Sequence, residues 1–161
     1  MNHSADASIR RFRESDLDQL VRLISETIGI SYAEAYPPRA VQFLKDFHSE
    51  KNIADRSKTG TTLVVEEDGE LAATGSLVGG EIRAVFVHPR LQKCGRGKML
   101  MKALENEARA SGVTEIGLRI SLPSKSFYER LGYRVVEAKS IDVGEGQRLD
   151  FWTAVKQLPA I

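Results

Sequence analysis

Apolar residues in the first part of the chain recur at the spacing of two helices. The first set is Leu17, Leu20, Val21, Ile24 and Ile28. Residues three and four apart share one face of a helix, so this set predicts a helix that Ser15 caps and Gly29 ends. A second helix is predicted to begin at Pro37-Pro38, because proline suits a first helical turn. Its inward face carries Val41, Leu44 and Phe47. Before both helices, residues 1–8 are predicted to be a frayed tail, and alternation from Ile9 to Glu14 predicts a short strand.

The rest of the chain alternates between strand and helix signals that glycine and proline separate. Asp68-Gly69 is a strong hairpin signal, and Gly79-Gly80 predicts the next turn. The predicted strands are Thr61–Glu67, Glu70–Leu77, Glu81–Val87, Ile116–Ile120, Arg134–Asp142 and Leu149–Val155. Helices are predicted at Arg96–Ser111, which Gly112 ends, and at Ser124–Leu131, which Gly132 ends.

This order of elements predicts an α/β (α+β) fold with a mixed, mostly antiparallel central sheet. We expect about seven strands and about four flanking helices. Hairpins pair neighbouring strands antiparallel, whereas the strand, helix, strand unit from Glu81 to Ile120 requires a right-handed crossover with its two strands parallel. No repeat or low-complexity linker divides the chain. We therefore expect a single domain over residues 1–161, with an ordered core of about 8–157.

Composition narrows the classes of partner. A chain of 161 residues has the length of one domain, and its 23 basic and 22 acidic residues give a formal net charge of +1. This balance argues against nucleic acid or an anionic membrane as the partner. The single cysteine cannot form an internal disulfide, and no His/Cys pair has the spacing of metal ligands. No apolar run approaches the ~20 residues of a membrane span, and the N-terminus lacks the apolar segment of a signal peptide, so a cytoplasmic location is predicted.

The segment between the strand that ends at His88-Pro89 and the next helix is suited to hold a phosphate. It consists of Gln92, Lys93, Cys94, Gly95, Arg96, Gly97 and Lys98. A helix N-terminus carries unpaired N–H groups and the positive end of the macrodipole, which stabilise an anion. The two glycines allow close backbone approach, and the three cations add positive charge, although a solvated charged face is the alternative for those side chains.

Two familiar nucleotide-binding motifs do not fit this segment. A Walker loop needs an earlier glycine than this loop contains, and Met99 stands where it needs the Ser or Thr that meets magnesium. A dinucleotide-binding fingerprint would need a glycine where Leu100 stands.

The remaining pattern, Q/R-x-x-G-x-G/A, is followed about thirty residues later by Phe127-Tyr128-Glu129-Arg130-Leu131-Gly132-Tyr133. Together the two segments resemble the GCN5-related N-acetyltransferase (GNAT) family, whose members use the first segment for the pyrophosphate of acetyl-coenzyme A and carry an FYE-x-LG-F/Y segment at a similar distance. The resemblance extends roughly from Ile9 to Lys156. It implies the GNAT fold, in which the fourth and fifth strands splay apart and the pantetheine arm lies in the gap.

The resemblance also implies acetyl-CoA as the co-substrate and no metal. The phosphates would lie on the loop from Gln92 to Lys98, with Arg90 nearby. The pantetheine amides would pair with the splayed edge of the fourth strand, in the manner of an added strand. The residues of that edge are Val85, Phe86 and Val87, which would also pack as an ordinary buried strand. Ser121 stands near where many relatives have an asparagine that contacts the pantetheine, and Ser124 is a second candidate contact.

Tyr128 stands where the family places a tyrosine that faces the thioester sulfur. A phenol with a reference pKa of about 10 stays protonated at neutral pH and can donate a hydrogen bond to a departing thiolate of pKa about 8.5. The alternative is that Phe127, Tyr128 and Leu131 form only the apolar face of a helix.

The attacking amine must be neutral, yet a lysine-type amine has a pKa of about 10.4, so a base or a water relay is useful. Glu81 precedes Gln92 by eleven residues, a separation similar to that of the base glutamate in histone-type members. It is the candidate base. The alternative is that Glu81 is only a surface carboxylate. Water or backbone carbonyls would then accept the amine proton. His48 and His88 receive no role, and Cys94 lies at the wrong end of the cofactor to be a nucleophile.

The predicted function is transfer of acetyl from acetyl-CoA to a primary amine by direct attack in a ternary complex. The alternative is a non-catalytic acyl-CoA-binding sensor or interaction module, and a longer acyl donor stays open. The predicted acceptor is a small-molecule amine or a protein or peptide amine. Neither nucleic acid nor a membrane is expected as a partner, and homodimer formation is left open. In this family the acceptor groove corresponds to Ser25–Arg39 and Asp142–Arg148. Within it, Tyr32, Glu34 and Tyr36 are suited to a cationic amine.

Overall fold

The computed structural model describes residues 7–92 and 94–159, and its centre is one seven-stranded sheet. The strands are β1 (Ser8–Arg11), β2 (Thr61–Glu67), β3 (Glu70–Val78), β4 (Glu81–Val87), β5 (Glu115–Ser121), β6 (Arg134–Gly144) and β7 (Gln147–Gln157). They lie in the order β1-β2-β3-β4-β5-β7-β6. Every adjacent pair is antiparallel except β4 and β5, which are parallel. The predicted mixed sheet is confirmed.

Helices cover both faces of the sheet. They are α1 (Leu17–Ser31), α2 (Pro38–Phe47), α3 (Glu50–Thr59), α4 (Arg96–Ala110) and α5 (Lys125–Arg130). One face packs against α1 and α3 through a cluster that includes Leu20, Ile24 and Ile53. The opposite face packs against α4 and α5, with Leu100 and Leu104 fully buried. The sheet therefore has two separate apolar layers, and the residues of the site divide between them.

The sequence did not predict α3. Its sequence, EKNIADRSKT, offers a single large apolar residue, Ile53, which is 1% exposed. One buried position has no periodicity, so the pattern carries no helical signal. The local start signal is present, because the Ser49 hydroxyl accepts a hydrogen bond from the Asn52 N–H at 3.2 Å.

The ends of α1 differ from the prediction. Asp16, not Ser15, organises its start: the Asp16 carboxylate accepts the Arg13 N–H at 2.7 Å and the Arg10 guanidinium at 2.8 and 2.9 Å. The helix also continues through Gly29 to Ser31, and the Tyr32 N–H still donates to the Ile28 carbonyl. Strand β1 ends at Arg11 rather than Glu14. The predicted frayed tail lies almost wholly outside the described residues.

Strands β4 and β5 separate soon after they begin. They are paired only at Glu81 with Gly117 and at Ile82 with Leu118, which confirms the predicted splay. On its other side β4 carries a bulge, because its register with β3 shifts between Thr74 and Ser76. Within the bulge, Ala84 has a φ of +56°, a left-handed conformation that costs a non-glycine residue about 1 kcal/mol or more. The edge of β4 beyond Ile82 thus faces a gap instead of a neighbouring strand.

None of the described helices has the length and apolar content needed to cross a bilayer.

Candidate active site

A cleft fills the gap between β4 and β5 and encloses about 190 Å³. Its walls come from both strands, from α2 and α3, from the segment before α2 and from the closing β6–β7 hairpin. The predicted catalytic and cofactor-binding residues Glu81, Val85, Phe86, Ser121 and Tyr128 line it, and so do the further candidate contacts Ser124, Tyr32 and Tyr36. Val87 is not among the lining residues; it packs in the layer under α4, and its carbonyl accepts the Gln92 side-chain amide at 3.0 Å.

Tyr128 belongs both to the core and to the cleft. Its ring is 7% exposed and packs edge-to-face with Phe127 and Tyr133, at centroid distances of 5.0 and 5.9 Å. Among the described residues, every fully buried side-chain polar atom has a hydrogen-bond partner. The Tyr128 hydroxyl has no hydrogen-bond partner among these residues, so this oxygen cannot be fully buried. Burial raises the pKa of Tyr128 above its usual value. The phenol therefore stays protonated and free to donate.

The start of α4 presents unpaired backbone amides. Gly95 precedes the helix with a φ of +84°, a conformation that favours glycine. The first helical hydrogen bond runs from the Met99 N–H to the Gly95 carbonyl at 3.0 Å. The N–H groups of Arg96, Gly97 and Lys98 consequently have no partner within the helix, which is the arrangement that binds anions at helix N-termini.

The cations of the loop differ in their availability. Glu67, at the end of β2, holds the Arg96 guanidinium at 2.5 and 3.0 Å, and Arg96 also donates to the Cys94 carbonyl at 3.0 Å. The Glu67 carboxylate raises the pKa of Arg96. Arg96 is thus a brace of the loop. Arg90 and Lys98 are exposed and form no ion pair with any residue that the structure describes. Lys93 lies outside the described residues.

Gln92 and Gly97 position the loop. The Gln92 side-chain amide donates to the Val87 carbonyl at 3.0 Å and to the Ser31 hydroxyl at 3.1 Å, which ties the loop to β4 and to α1. A Cβ at Gly97 would lie 3.0 Å from Cζ of Phe127 and 3.5 Å from Cγ2 of Val87. A side chain at this position would require the Phe127 ring to shift by a few tenths of an ångström, because α4 packs closely on α5. Cys94 is exposed.

Three hydroxyl groups gather on the β5 side of the cleft. The Ser121 Oγ lies 2.8 Å from the Ser124 Oγ and donates to the Tyr32 hydroxyl at 3.4 Å. Burial raises the pKa of Tyr32. The Tyr36 hydroxyl, in contrast, already forms two hydrogen bonds within the fold: it donates to the Asp150 carbonyl at 2.7 Å and accepts the Leu122 N–H at 2.9 Å. Of the two tyrosines before α2, Tyr32 has the freer hydroxyl.

Glu81 lies at the closed end of the gap, where β4 and β5 still pair. Its carboxylate accepts the Arg83 Nε–H at 3.1 Å, and the Arg119 Nε is 3.9 Å away. All three side chains line the cleft. The candidate base is therefore a carboxylate that two guanidinium groups share.

Sequence reasoning missed His48 and Arg56 as residues of the site. Both line the cleft, and the Arg56 Nη1 lies 3.3 Å from the His48 Nδ1. The His48 ring packs edge-to-face on Phe86, with a centroid distance of 5.1 Å. Burial, with a smaller contribution from Arg56, lowers the pKa of His48 to about 3, so the imidazole is neutral. They could not be found from local patterns, because Arg56 lies on the unpredicted helix α3.

Within residues 7–92 and 94–159, no group of three or more His, Cys, Asp or Glu side chains could hold a metal ion.

Comparison with known proteins identifies the family. A family model described as an acetyltransferase (GNAT) domain matches residues 32–145. The chain is 29% identical over 152 residues to the glucosamine 6-phosphate N-acetyltransferase of Trypanosoma brucei brucei, covering 85% of this chain and 95% of the relative.

Solved structures have the same fold. A GCN5-related N-acetyltransferase of Rhodopseudomonas palustris has a TM-score of 0.87 at 23% identity, covering 98% of this chain and 99% of its own. The PaiA N-acetyltransferase of Thermoplasma acidophilum, in complex with coenzyme A, has a TM-score of 0.77 at 18% identity, covering 95% and 99%. Because the family match spans most of the chain and includes both the glycine loop before α4 and the segment around Tyr128, the chain belongs to the GCN5-related N-acetyltransferase (GNAT) family of acetyltransferases.

Proposed function

We propose that this acetyltransferase moves the acetyl group of acetyl-CoA directly to a primary amine within a ternary complex. The observation that carries the proposal is the gap between β4 and β5, which Tyr128 lines. The backbone amides at the start of α4 that lack a partner within the helix follow β4 along the chain. A long thioester requires an anion site, a backbone edge and a donor near the sulfur. The cleft and its surroundings contain a candidate for each.

The residues present fit the cofactor. The pyrophosphate would bind the N–H groups of Arg96, Gly97 and Lys98, with the exposed side chains of Lys98 and Arg90 adding charge. The pantetheine would lie along the β4 edge at Val85 and Phe86, opposite Ser121. The Thermoplasma structure, which contains coenzyme A, supports this choice of cofactor class. Gln92, Cys94, Gly95 and Val87 would shape the loop rather than contribute charge.

The chemistry is acyl transfer to nitrogen. The amine nitrogen attacks the thioester carbonyl, the C–N bond forms, and the C–S bond breaks to release the coenzyme A thiolate. Tyr128 donates a hydrogen bond to this sulfur as its charge develops, and Glu81 accepts the proton of the amine directly or through water. The phenol as donor and the carboxylate as acceptor then have complementary roles.

The acceptor is an amine, and its identity is an open part of the proposal. The Trypanosoma relative is named for glucosamine 6-phosphate, which makes that compound the first acceptor to test. Peptide amines form the second class. A cytoplasmic location, a single domain over the whole chain and the absence of nucleic-acid and membrane partners stay predictions, and homodimer formation stays open.

Turnover with amines tests the function. Coenzyme A and acetylated product should form in equal amounts when the protein meets acetyl-CoA and an accepted amine. Without an amine, mass spectrometry should find no acetyl group on the protein, and Cys94→Ser should retain activity. Acetylated Cys94 that passes its acetyl to product would contradict direct attack. Tight acetyl-CoA binding without turnover of any amine would favour the sensor alternative.

A further inference from the structure

The charged side chains that line the cleft are out of balance. They are Arg56, Glu81, Arg83 and Arg119. The one carboxylate lies 3.1 Å from Arg83 and 3.9 Å from Arg119, so two guanidinium groups already share it. The lining therefore carries two positive charges in excess, and Arg56 has no share in the carboxylate.

Arg56 is the cation with the least compensation. Its side chain projects from α3 into the cleft, and its hydrogen-bond partner is the neutral imidazole of His48 at 3.3 Å. The neighbouring Asp55 pairs with Lys51 at 3.4 Å. Burial and, secondarily, repulsion from Arg83 lower the pKa of Arg56 to about 10. Within residues 7–92 and 94–159 no carboxylate forms an ion pair with Arg56. A partly buried cation without such a partner is unfavourable, so the site favours an anion that arrives with a ligand.

His48 positions the Arg56 side chain but does not compensate its charge. The Arg56 guanidinium can only donate, so the His48 Nδ1 accepts and the ring proton lies on Nε2. The imidazole thus adds no negative charge. Its ring is fixed between Phe47 and Phe86, each at a centroid distance of 5.1 Å. This packing holds Arg56 in place beside the β4 edge.

The Arg56–His48 pair is separate from the loop that begins at Gln92 and leads into α4. Arg56 lies on α3, on the sheet face that packs against α1, whereas Gly97 at the start of α4 packs against Phe127 on the opposite face. Phe86, which touches His48, belongs to the α1 layer. Arg56 is consequently placed to meet the acceptor and not the pyrophosphate of the cofactor.

We infer that Arg56, assisted by Arg83, forms a subsite for an oxyanion that the acceptor amine carries, either a carboxylate or a phosphate. This inference rests on the proposed function and specifies its substrate class. A guanidinium pairs with either group through two parallel hydrogen bonds. Acceptors that are only neutral or only cationic are disfavoured, because they leave the excess positive charge of the cleft uncompensated.

Matched acceptor pairs test the inference. Glucosamine 6-phosphate and glucosamine form the phosphate arm, and leucine and leucinamide form the carboxylate arm. In at least one arm, the wild-type protein should show a kcat/KM about tenfold or more higher for the oxyanion-bearing member, or about 1.4 kcal/mol. Arg56→Gln should reduce this preference to within about twofold, with coenzyme A affinity unchanged. Lys58→Gln, an exposed cation of the same helix, should retain the preference.

A binding measurement makes the test independent of turnover. With coenzyme A saturating, inorganic phosphate or acetate should produce a saturable NMR shift of the His48 imidazole in the wild type and in Lys58→Gln, and none in Arg56→Gln. If Arg56→Gln does not fold, Arg83→Gln should weaken the same titration.

The outcomes separate the two proposals. Equal kcat/KM for both members of each pair would overturn the subsite and leave the acetyltransferase function intact. If no amine is turned over, the proposed function fails, and the His48 titration alone decides the subsite: a saturable shift supports it and a flat one overturns it.

Discussion

The phenyl ring of Phe127 occupies the space that a side chain at Gly97 would need, since an added Cβ would lie 3.0 Å from its Cζ. These two residues belong to the two sequence segments by which the family is recognised. The segments therefore touch, and the contact sets how α4, with its free amides, packs against the helix that carries Tyr128. Changes at this contact should affect both cofactor binding and stability.

Gly97→Ala should weaken both properties. Overpacking a close contact typically costs about 1 to 3 kcal/mol of the free energy of unfolding. Displacement of the α4 amides should also weaken coenzyme A binding at least about tenfold. Urea denaturation and calorimetry measure the two effects.

The control is a double-mutant cycle with Phe127→Ala, which removes the opposing ring. In that background Gly97→Ala should cost less than half as much stability as it does alone. Strictly additive effects would contradict the steric explanation.

Cofactor binding should protect Cys94, because this exposed thiol lies in the loop that the pyrophosphate should cover. At ten times the dissociation constant of acetyl-CoA, alkylation of Cys94 by N-ethylmaleimide should slow about tenfold. Acetyl-CoA is the appropriate ligand, since free coenzyme A consumes the reagent. Intact-protein mass spectrometry measures the rate, and the chain has one cysteine, so the signal has one source. An unchanged rate would place the cofactor elsewhere.

Tyr128→Phe should lower kcat by about 10²-fold, the low end of general-acid contributions, and leave coenzyme A affinity within about twofold. The ring and its packing survive the change, so only the hydroxyl is lost. Because burial raises the pKa of Tyr128, deprotonation of the phenol should produce no fall in kcat below about pH 10.

Tyr133→Phe is the matched control for Tyr128. The Tyr133 hydroxyl donates to Glu105 at 2.8 Å, and the residue does not line the cleft. It should lose stability but keep kcat. Full kcat in Tyr128→Phe, with chemistry limiting the rate, would leave Tyr128 as a packing residue.

Glu81→Gln should give a different pH signature. If Glu81 accepts the amine proton, its loss should lower the rate most at lower pH, and rising pH should restore activity as more amine becomes neutral. The change also removes the carboxylate that Arg83 and Arg119 share. An oxyanion-bearing acceptor should therefore bind at least as tightly as before. Steady-state kinetics across pH measure both effects, and the exposed Glu70→Gln is the control. A loss of rate that is the same at every pH would reject the base role of Glu81.

Lys156→Met should destabilise the fold by about 3 kcal/mol, because it leaves a buried carboxylate without its cation. Glu105 is 6% exposed and accepts from Lys156 at 2.9 and 3.2 Å. Adding Glu105→Gln should recover part of the loss, as urea denaturation would show. No recovery in the double variant would mean that Lys156 acts through packing alone.

Local chemistry explains which elements the sequence predicted correctly. The hairpin at Asp68-Gly69 follows from turn preferences of adjacent residues, and both residues have positive φ in the structure, at +53° and +78°. Strand β4 has the predicted bounds because a glycine turn and a proline enclose it. Helix α3 could not be predicted, since its single buried residue, Ile53, gives no periodic signal.

The sequence by itself determined the family, the mixed sheet and the position of the glycine loop before α4, because turn residues, glycine spacing and apolar periodicity act between neighbours in the chain. Only the tertiary structure decided the state of individual side chains. Arg96 is braced by Glu67, Gly97 faces Phe127, and Arg56 lies beside His48 in the cleft. Such pairings join helices and strands distant in sequence, and a residue's charge or size does not indicate its partner. The availability of a cation for a ligand is therefore decided by packing.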